Sequence, residues 1–363
     1  MQTREFLKRF KAYEWETPTH QIAASMGLPE ERVFRLDTNT SPFLPLVPLR
    51  ELRKNVFSTG VNQYPDTTYR SLRELLSGYC QRGLDRFVIT NGADEGLDIV
   101  TKTFLDPGEG TVTATPTYSM FRIVTELMGA KMTGVQRARD FSVNVDRVLH
   151  GVRKNTRIIF LCNPNNPTGN FTPQRDVEHL VKESGCLVAV DEAYQEYAGK
   201  SAIDLTDRYD NLVVIRTFSK AFSMAGVRVG YLVASETTVK ELNKVRPPNS
   251  LTVISLALAE SALKHIGEMR SNVTRIVKER ERCFKELSEI KNIEPYPSEA
   301  NFILFRVVGM DANVIHARLM KKGFVLRNLA EVPGIRNTLR VTTSTREIND
   351  GFIDALRSSL ESS

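Results

Sequence analysis

The sequence contains no long apolar run and few cysteines. None of its hydrophobic stretches approaches the roughly 18 to 20 residues of a membrane-spanning helix. Charged residues interrupt the first twenty positions throughout, which is unlike a secretory signal. The four cysteines are widely scattered, with no CxxC pair, and this favours reduced thiols over disulfides or a metal site. We therefore expect a cytoplasmic protein that holds no metal ion and does not span a membrane.

Neither sign of charge dominates the sequence. The 49 basic and 43 acidic residues give a net charge of +6, and the two signs alternate in segments such as 277–291, as on the solvated face of a helix. A nucleic-acid-binding protein would concentrate its basic residues in one patch. We expect no nucleic-acid partner, whereas a small anionic substrate is compatible with this balance.

Apolar, β-branched runs alternate with helical patterns over the first two thirds of the chain. The predicted strands are 86–90, 110–115, 157–161, 186–190, 211–215 and 227–234. This alternation predicts an α/β fold whose large domain has a mostly parallel central sheet flanked by helices. The last third begins with a long helical pattern over 255–287 and continues with short strands and helices, which predicts a smaller α+β domain. The predicted ranges are an N-terminal segment packing with the small domain (1–45), the large domain (46–254), and a bridging helix with the small domain (255–363).

Polar, turn-forming residues follow four of these predicted strands. The four segments are TNGADEG (90–96), CNPNNPTGN (162–170), DEAY (191–194) and TFSK (217–220). Ligands of open α/β sheets bind at the carboxyl ends of the strands. The four segments therefore predict one active site in the large domain.

The segment 90–96 predicts the start of a helix that could bind a phosphate. The first backbone N–H groups of a helix, here near Ala93 and Asp94, have no partner within the helix and can bind an anion. Because carboxylates repel phosphate, we expect the side chains of Asp94 and Glu95 to point away. A plain helix start explains the same residues without a ligand.

Lys220 lies in a hydroxyl-rich turn. In an extended chain Thr217 and Ser219 share one side and Lys220 faces the other, so the two hydroxyls could bind an anion beside the amine. Arg228 adds a permanent cation suited to phosphate. A nucleophilic lysine needs a lowered pKa, which neighbouring cations and partial burial provide. The segment predicts a phosphate site next to a reactive amine; a surface lysine is the alternative interpretation.

Asp191 and Asn166 follow two further predicted strands. Burial of an unpaired carboxylate is costly, so Asp191 should have a cationic partner, unless it caps the next helix. Tyr194 would lie one helical turn from it on the same side. Prolines at 164 and 167 fix the loop around Asn166 and leave its amide available.

Together, these motifs resemble the class I/II, fold-type I aminotransferases, which depend on pyridoxal phosphate (PLP). The resemblance covers about residues 10–357. It implies that Lys220 bonds covalently to the cofactor aldehyde, that Asp191 pairs with the pyridine nitrogen, and that Tyr194 is the third catalytic residue. It also implies that Tyr118 stacks on the ring. The cofactor contacts implied in this way are Ala93, Asp94, Tyr118, Asn166, Asp191, Tyr194, Thr217, Ser219, Lys220 and Arg228.

Within this family the chain most resembles the histidinol-phosphate aminotransferases, through QYPDTTYRSLRELL (63–76), PTYSMF (116–121) and KVRPPNS (244–250). The resemblance implies a transamination of histidine biosynthesis. Its substrates would be a small-molecule amino acid phosphate (histidinol phosphate) and a 2-oxo acid (2-oxoglutarate). Arg340 is then the residue that binds a carboxylate. Arg327 would bind a phosphate or a distal carboxylate, with Tyr13 beside it. Tyr64 would reach the cofactor phosphate of the neighbouring subunit, which implies a homodimer with shared active sites.

The segment 35–46 departs from the family pattern. It reads Asn39-Thr40-Ser41-Pro42-Phe43-Leu44, with serine in place of a second asparagine and without the glycine that usually follows. The alternatives are an aromatic amino-acid aminotransferase, a threonine-phosphate decarboxylase of cobalamin synthesis, and a non-enzymatic ligand sensor of the same fold. A nicotinamide-dependent dehydrogenase is disfavoured, because no GxGxxG motif follows a strand.

Overall fold

The computed structural model of the chain describes residues 2–13 and 15–361. Residues 1, 14, 362 and 363, which the predicted domain ranges include, lie outside the described part. The strands are β1 Phe34–Leu36, β2 Phe87–Thr90, β3 Gly110–Thr115, β4 Lys131–Gln136, β5 Thr156–Cys162, β6 Leu187–Asp191, β7 Leu212–Thr217, β8 Gly230–Val233, β9 Ile293–Pro295, β10 Phe302–Val307, β11 Phe324–Asn328 and β12 Thr338–Thr342. The α-helices are α1 Thr19–Met26, α2 Leu46–Asn55, α3 Arg70–Cys80, α4 Gly92–Phe104, α5 Met120–Leu127, α6 Val145–Gly151, α7 Gln174–Glu183, α8 Gln195–Ala198, α9 Glu236–Val245, α10 Val253–Lys264, α11 Ile266–Ser288, α12 Ala312–Lys321 and α13 Arg346–Glu361.

A seven-stranded sheet forms the centre of the larger part of the chain. Its order is β2-β8-β7-β6-β5-β3-β4, and only β8 runs antiparallel to its neighbours. All residues of β6 and β7 are buried, as expected for parallel strands covered on both faces. The predicted α/β fold with a mostly parallel sheet is confirmed.

One strand of this sheet was missed by the sequence pattern. Strand β4, KMTGVQ, pairs in parallel with β3 at the edge of the sheet and is largely exposed. An edge strand needs fewer apolar residues than a central one, and glycine at its fourth position weakens the strand signal further.

Helices cover both faces of the seven-stranded sheet. Helices α4, α5 and α9 contribute Leu97, Val124 and Leu242 to one buried apolar cluster with the strands. Helices α6 and α7 contribute Val148 and Leu180 to a second cluster. This layered arrangement buries the sheet and leaves the carboxyl ends of its parallel strands as the place where polar segments meet.

A second sheet has the order β1-β11-β12-β10-β9. Its first strand comes from the N-terminal segment: Phe34 lies opposite Phe324 in the parallel pair of β1 and β11. Residues of α1 pack on the same sheet, where Ile22 and Val325 share an apolar cluster. The limits assigned above to the three ranges, at 45/46 and 254/255, remain predictions.

The long helical pattern over 255–287 forms two helices rather than one. His265 separates α10 from α11 with φ −115° and ψ 42°. Helix α10 contacts α2 and α3, whereas α11 contacts β9 and α13 of the second sheet layer and α8 of the first. The break allows α10 and α11 to pack against different elements. Helical periodicity alone does not reveal the break, because only one residue interrupts the pattern.

None of the helices in the described part of the chain is long and apolar enough to cross a membrane. All four cysteines are buried free thiols: Cys80, Cys162, Cys186 and Cys283.

Candidate active site

The polar segments predicted from the sequence converge at one edge of the large sheet. Strands β5, β6 and β7 are adjacent and parallel, and they end at Cys162, Asp191 and Thr217. Backbone hydrogen bonds continue past the strand ends, from Asn163 N–H to the Asp191 carbonyl (2.8 Å) and from Glu192 N–H to the Ile215 carbonyl (2.8 Å). Helix α4, which follows β2, packs on β7 and β8. All four segments therefore face one region.

The start of α4 lies so close to β8 that Gly230 has no room for a side chain. A Cβ on Gly230 would lie 2.6 Å from the Gly92 carbonyl carbon and 2.9 Å from the Ala93 nitrogen. A Cβ on Gly92, which has φ +78°, would lie 2.6 Å from Nη2 of Arg228. The close approach brings the Arg228 guanidinium to the unpaired N–H groups of the first turn of α4, which together favour an anion.

Two hydroxyls complete this positive region. The Thr217 hydroxyl donates to Ser219 Oγ (2.8 Å), and Ser219 N–H donates to Thr217 Oγ1 (3.1 Å). Arg228 Nη1 lies 3.5 Å from Ser219 Oγ. The structure thus brings together Thr217, Ser219, Arg228 and the start of α4, and it directs Lys220 elsewhere, as the alternation along the chain predicted.

The side chain of Asp94 does not point away from this region. Its carboxylate forms an ion pair with Arg228 (3.1 Å) and accepts a hydrogen bond from the Tyr118 hydroxyl (2.9 Å). The expectation for Asp94 was therefore wrong, because the nearby guanidinium of Arg228 attracts its carboxylate. Glu95 does turn aside, and it accepts hydrogen bonds from Asn91 N–H and the Ser250 hydroxyl. Asp94 fixes the Tyr118 ring beside the site.

The amine of Lys220 lies close to Thr38 and Tyr194. Its ammonium group donates to the Thr38 carbonyl (3.1 Å) and lies 5.7 Å from the centre of the Tyr194 ring. Burial is the main cause that lowers the pKa of Lys220 to about 8, and the positive charge of Arg340 adds to the effect. A larger share of the amine is therefore uncharged at neutral pH than in an exposed lysine.

Asp191 is a buried carboxylate that lacks a cation from the protein. It is 3% exposed, Oδ1 accepts a hydrogen bond from Ala193 N–H (3.0 Å), and it takes part in no ion pair among the described residues. Burial raises the pKa of Asp191 to about 7. The alternative role as a helix cap is not realised, because α8 begins later and has Tyr194 at its N-cap. Asp191 suits a positively charged group of a ligand.

The Tyr194 hydroxyl has a partner that the sequence did not reveal. Asn39 Nδ2 donates to this hydroxyl (3.0 Å), and Asn39 N–H donates to Thr342 Oγ1 (3.0 Å). Asn39 has φ +55°, a left-handed conformation that asparagine tolerates better than most residues. Because asparagine tolerates this conformation, its presence in the segment 35–46, which departs from the family pattern, is the sequence signal that could have indicated a special role for Asn39.

Two arginines of the second sheet reach the same region. Arg327 lies directly opposite Arg340 in the antiparallel pair of β11 and β12. Arg340 is 6% exposed; it donates to the Asn166 side-chain oxygen and to the Asp37 carbonyl, and its Nε is buried without a partner. The charges of both arginines act on the hydroxyl of Tyr13, whose pKa is nevertheless raised, mainly by burial.

Tyr64 differs from the other predicted site residues because it is largely exposed. Its side chain is 83% exposed. It is therefore available for contact with a second molecule.

The sequence profile of the family described as aminotransferase class I and II matches residues 31–356. The chain belongs to this family. The histidinol-phosphate aminotransferase of Caldanaerobacter subterraneus subsp. tengcongensis is 38% identical over 356 residues, which are 98% of this chain and 97% of that one. The enzyme of the same name from Thermoanaerobacter pseudethanolicus is 36% identical with the same coverage.

A solved structure of another aminotransferase has the same fold. The crystal structure of histidinol-phosphate aminotransferase from Sinorhizobium meliloti in complex with pyridoxal-5'-phosphate matches this chain with a TM-score of 0.89. The two sequences are 24% identical, and the match covers 99% of this chain and 97% of the other. The two-sheet arrangement described above is therefore the fold-type I arrangement of aminotransferases.

Proposed function

We propose that this chain is a PLP-dependent aminotransferase that exchanges an amino group between histidinol phosphate and 2-oxoglutarate, a reaction of histidine biosynthesis in the cytoplasm. The opposed arginines Arg327 and Arg340 carry the substrate part of the proposal. The full-length relatives named histidinol-phosphate aminotransferase support it.

The residues present fit the chemical groups of PLP. The phosphate would bind where Arg228, the hydroxyls of Thr217 and Ser219, and the N–H groups at Ala93 and Asp94 meet. The aldehyde would meet the amine of Lys220. A protonated ring nitrogen would supply the cation that buried Asp191 lacks, while the ring would lie by Tyr118, and its phenolic oxygen by Asn166 and Tyr194.

PLP, when bound, supplies an aldehyde that bonds to amines and a ring that withdraws electrons from the substrate Cα. With PLP bound, the free amine of Lys220 would take the Cα proton of the substrate as an uncharged base and deliver it, as an acid, to the cofactor carbon that carried the aldehyde. Asp191 would keep the ring nitrogen protonated, since a charge pair at about 4 Å in an effective dielectric of about 20 contributes about 4 kcal/mol. That energy corresponds to about three pKa units.

The arginines fit substrates that carry anionic groups. Side chains directly opposite each other in an antiparallel pair share one face, and like charges there are destabilising. Arg327 and Arg340 occupy such positions, so an anion between or beside them would relieve the repulsion. We assign a carboxylate of 2-oxoglutarate or glutamate to Arg340. The phosphate of histidinol phosphate, or a distal carboxylate, is assigned to Arg327 with Tyr13 beside it.

The reaction can be tested with three substrates offered in parallel. PLP-loaded protein would receive 2-oxoglutarate with histidinol phosphate, phenylalanine or threonine phosphate, and glutamate and carbon dioxide would both be measured. We expect the highest kcat/KM for glutamate formation with histidinol phosphate, and no carbon dioxide. Preference for phenylalanine would assign an aromatic aminotransferase, and carbon dioxide release from threonine phosphate would assign a decarboxylase; either result refutes the proposal.

We also propose a homodimer with shared active sites, in which Tyr64 contacts the phosphate bound by the partner. Tyr64 and the apolar residues Leu44 and Val61 are 83%, 66% and 65% exposed, which favours their burial against a second copy. The test mixes Lys220→Ala and Tyr64→Ala protein after unfolding and refolding together. Random pairing gives heterodimers with one intact site, so about a quarter of wild-type activity should return. No recovery would place Tyr64 in the site of its own chain, and full activity of the Tyr64→Ala protein alone would place Tyr64 outside any site.

A further inference from the structure

Asn39 connects three parts of the active site through its hydrogen bonds. It is 2% exposed. Its backbone N–H donates to Thr342 Oγ1 (3.0 Å), and its backbone carbonyl accepts from Asn301 Nδ2 (3.0 Å). In its side chain, Oδ1 accepts from the Thr342 hydroxyl (3.3 Å) and Nδ2 donates to the Tyr194 hydroxyl (3.0 Å). The N-terminal segment, the second sheet and Tyr194 are thus fixed to one residue.

The direction of the bond to Tyr194 determines where the phenolic proton goes. A tyrosine hydroxyl has one proton to donate and can also accept. Because the Tyr194 oxygen accepts from Asn39 Nδ2, its own proton is free to be donated to another acceptor. The ring of Tyr194 is held as well, since Phe302 packs edge-on against it at 5.3 Å between ring centres.

We infer that Asn39 is a positioning residue that directs the Tyr194 O–H toward the ring oxygen of the bound cofactor. The inference rests on the proposed function, which places that oxygen beside Tyr194. Thr342, the anchor of Asn39, lies two residues after Arg340 on β12, so both side chains project from the same face of the strand. Asn39 therefore fixes the position of Tyr194 relative to Arg340, the arginine that would bind the substrate carboxylate.

The visible absorbance of the PLP-loaded protein measures this effect without turnover. With PLP bonded to Lys220, the visible absorption of the cofactor would shift when the linking nitrogen loses its proton, and a donor to the negatively charged ring oxygen would make that proton easier to lose. A hydrogen bond to a charged group corresponds to a shift of about 1 to 2 pH units. We expect Asn39→Gly to raise the midpoint of the absorbance titration by about this amount, because the tyrosine is no longer held.

Glycine is the suitable truncation because it adopts φ +55° freely, so the backbone is spared while the amide is removed. Asn39→Asp offers a second variant of nearly the same shape. Its carboxylate accepts the Tyr194 proton instead of donating to the oxygen, and the midpoint should rise at least as far. Ser41→Ala is the matched control in the same segment, since the Ser41 hydroxyl bonds Ser223 rather than Tyr194; its midpoint should stay at the wild-type value.

A double variant decides whether Asn39 acts through Tyr194. The midpoint of Tyr194→Phe should not change further when Asn39→Gly is added. A further shift in that background, or an unchanged midpoint in both Asn39 variants, would overturn the inference while leaving the proposed function intact. Failure of the wild-type protein to develop a visible band with PLP would instead remove the proposed function, and the inference with it.

Discussion

The lowered pKa of Lys220 predicts how fast the protein should capture an aldehyde at each pH. Burial and the charge of Arg340 lower this pKa from 10.5 to about 8. At pH 7 the uncharged fraction of the amine then rises from about 0.03% to about 9%, roughly 300-fold, by the ordinary titration relation. Only the uncharged amine attacks a carbonyl, so the capture rate should be higher than that of an exposed lysine by a similar factor.

The assay mixes cofactor-free protein with PLP between pH 6 and pH 10 and follows the visible absorbance. We expect the initial rate to rise about tenfold per pH unit below pH 8 and to level off above it. Arg340→Met should move the plateau to higher pH, but not as far as 10.5, because burial contributes more than the Arg340 charge. Lys220→Ala, which lacks the amine, is the control. Borohydride should attach no PLP covalently to this variant. A wild-type rate that keeps rising to pH 10 would show that the pKa of Lys220 is not lowered, which would contradict this prediction.

Three further predictions follow from other residues of the site. Asp191→Asn should lower turnover at least a hundredfold, yet it should stabilise the cofactor-free protein at pH 8. Burial raises the pKa of Asp191 from 3.8 to about 7, so the wild-type protein loses up to about 4 kcal/mol of stability as the pH rises through this interval. Equal melting temperatures of variant and wild type at pH 8 would contradict this. Arg327→Met should raise KM for histidinol phosphate about 10- to 100-fold, as loss of a charge-assisted hydrogen bond predicts, with little effect on phenylalanine; equal effects would exclude a phosphate contact. Gly230→Ala should weaken PLP binding and cost about 1 to 3 kcal/mol of stability, because its Cβ would lie 2.6 Å from the Gly92 backbone; unchanged affinity in a titration would refute the close approach.

Much of the fold could be predicted because central parallel strands are apolar on both faces. The six predicted strands of the large sheet all form, and the strand-end segments meet as expected. The edge strand β4 was missed since its exposed residues give it no continuous apolar run. The break at His265 was missed because it depends on which surfaces α10 and α11 pack against, and these are set by residues far away in the sequence.

The site residues that could be placed are those whose role follows from local chemistry. Thr217, Ser219 and Arg228 come together because they flank one strand end and one turn. The orientation of Asp94 depended on Arg228, more than a hundred residues later, and could not be derived from the helix start alone. The contact of Asn39 with Tyr194 depends on a backbone conformation and on the packing of the second sheet, neither of which a local pattern specifies.

The pairing of β1 with β11 also has a consequence for biosynthesis. Phe34 is synthesised long before its partner Phe324, because the two lie far apart in the sequence. At typical elongation rates of about 5 to 20 residues per second, the delay is on the order of tens of seconds. During that time the nascent N-terminal segment has no sheet to join, and Asn39 cannot reach Thr342. Chaperones that bind extended apolar segments would find their target there, and the site around Lys220 would be completed only once β12 has been synthesised.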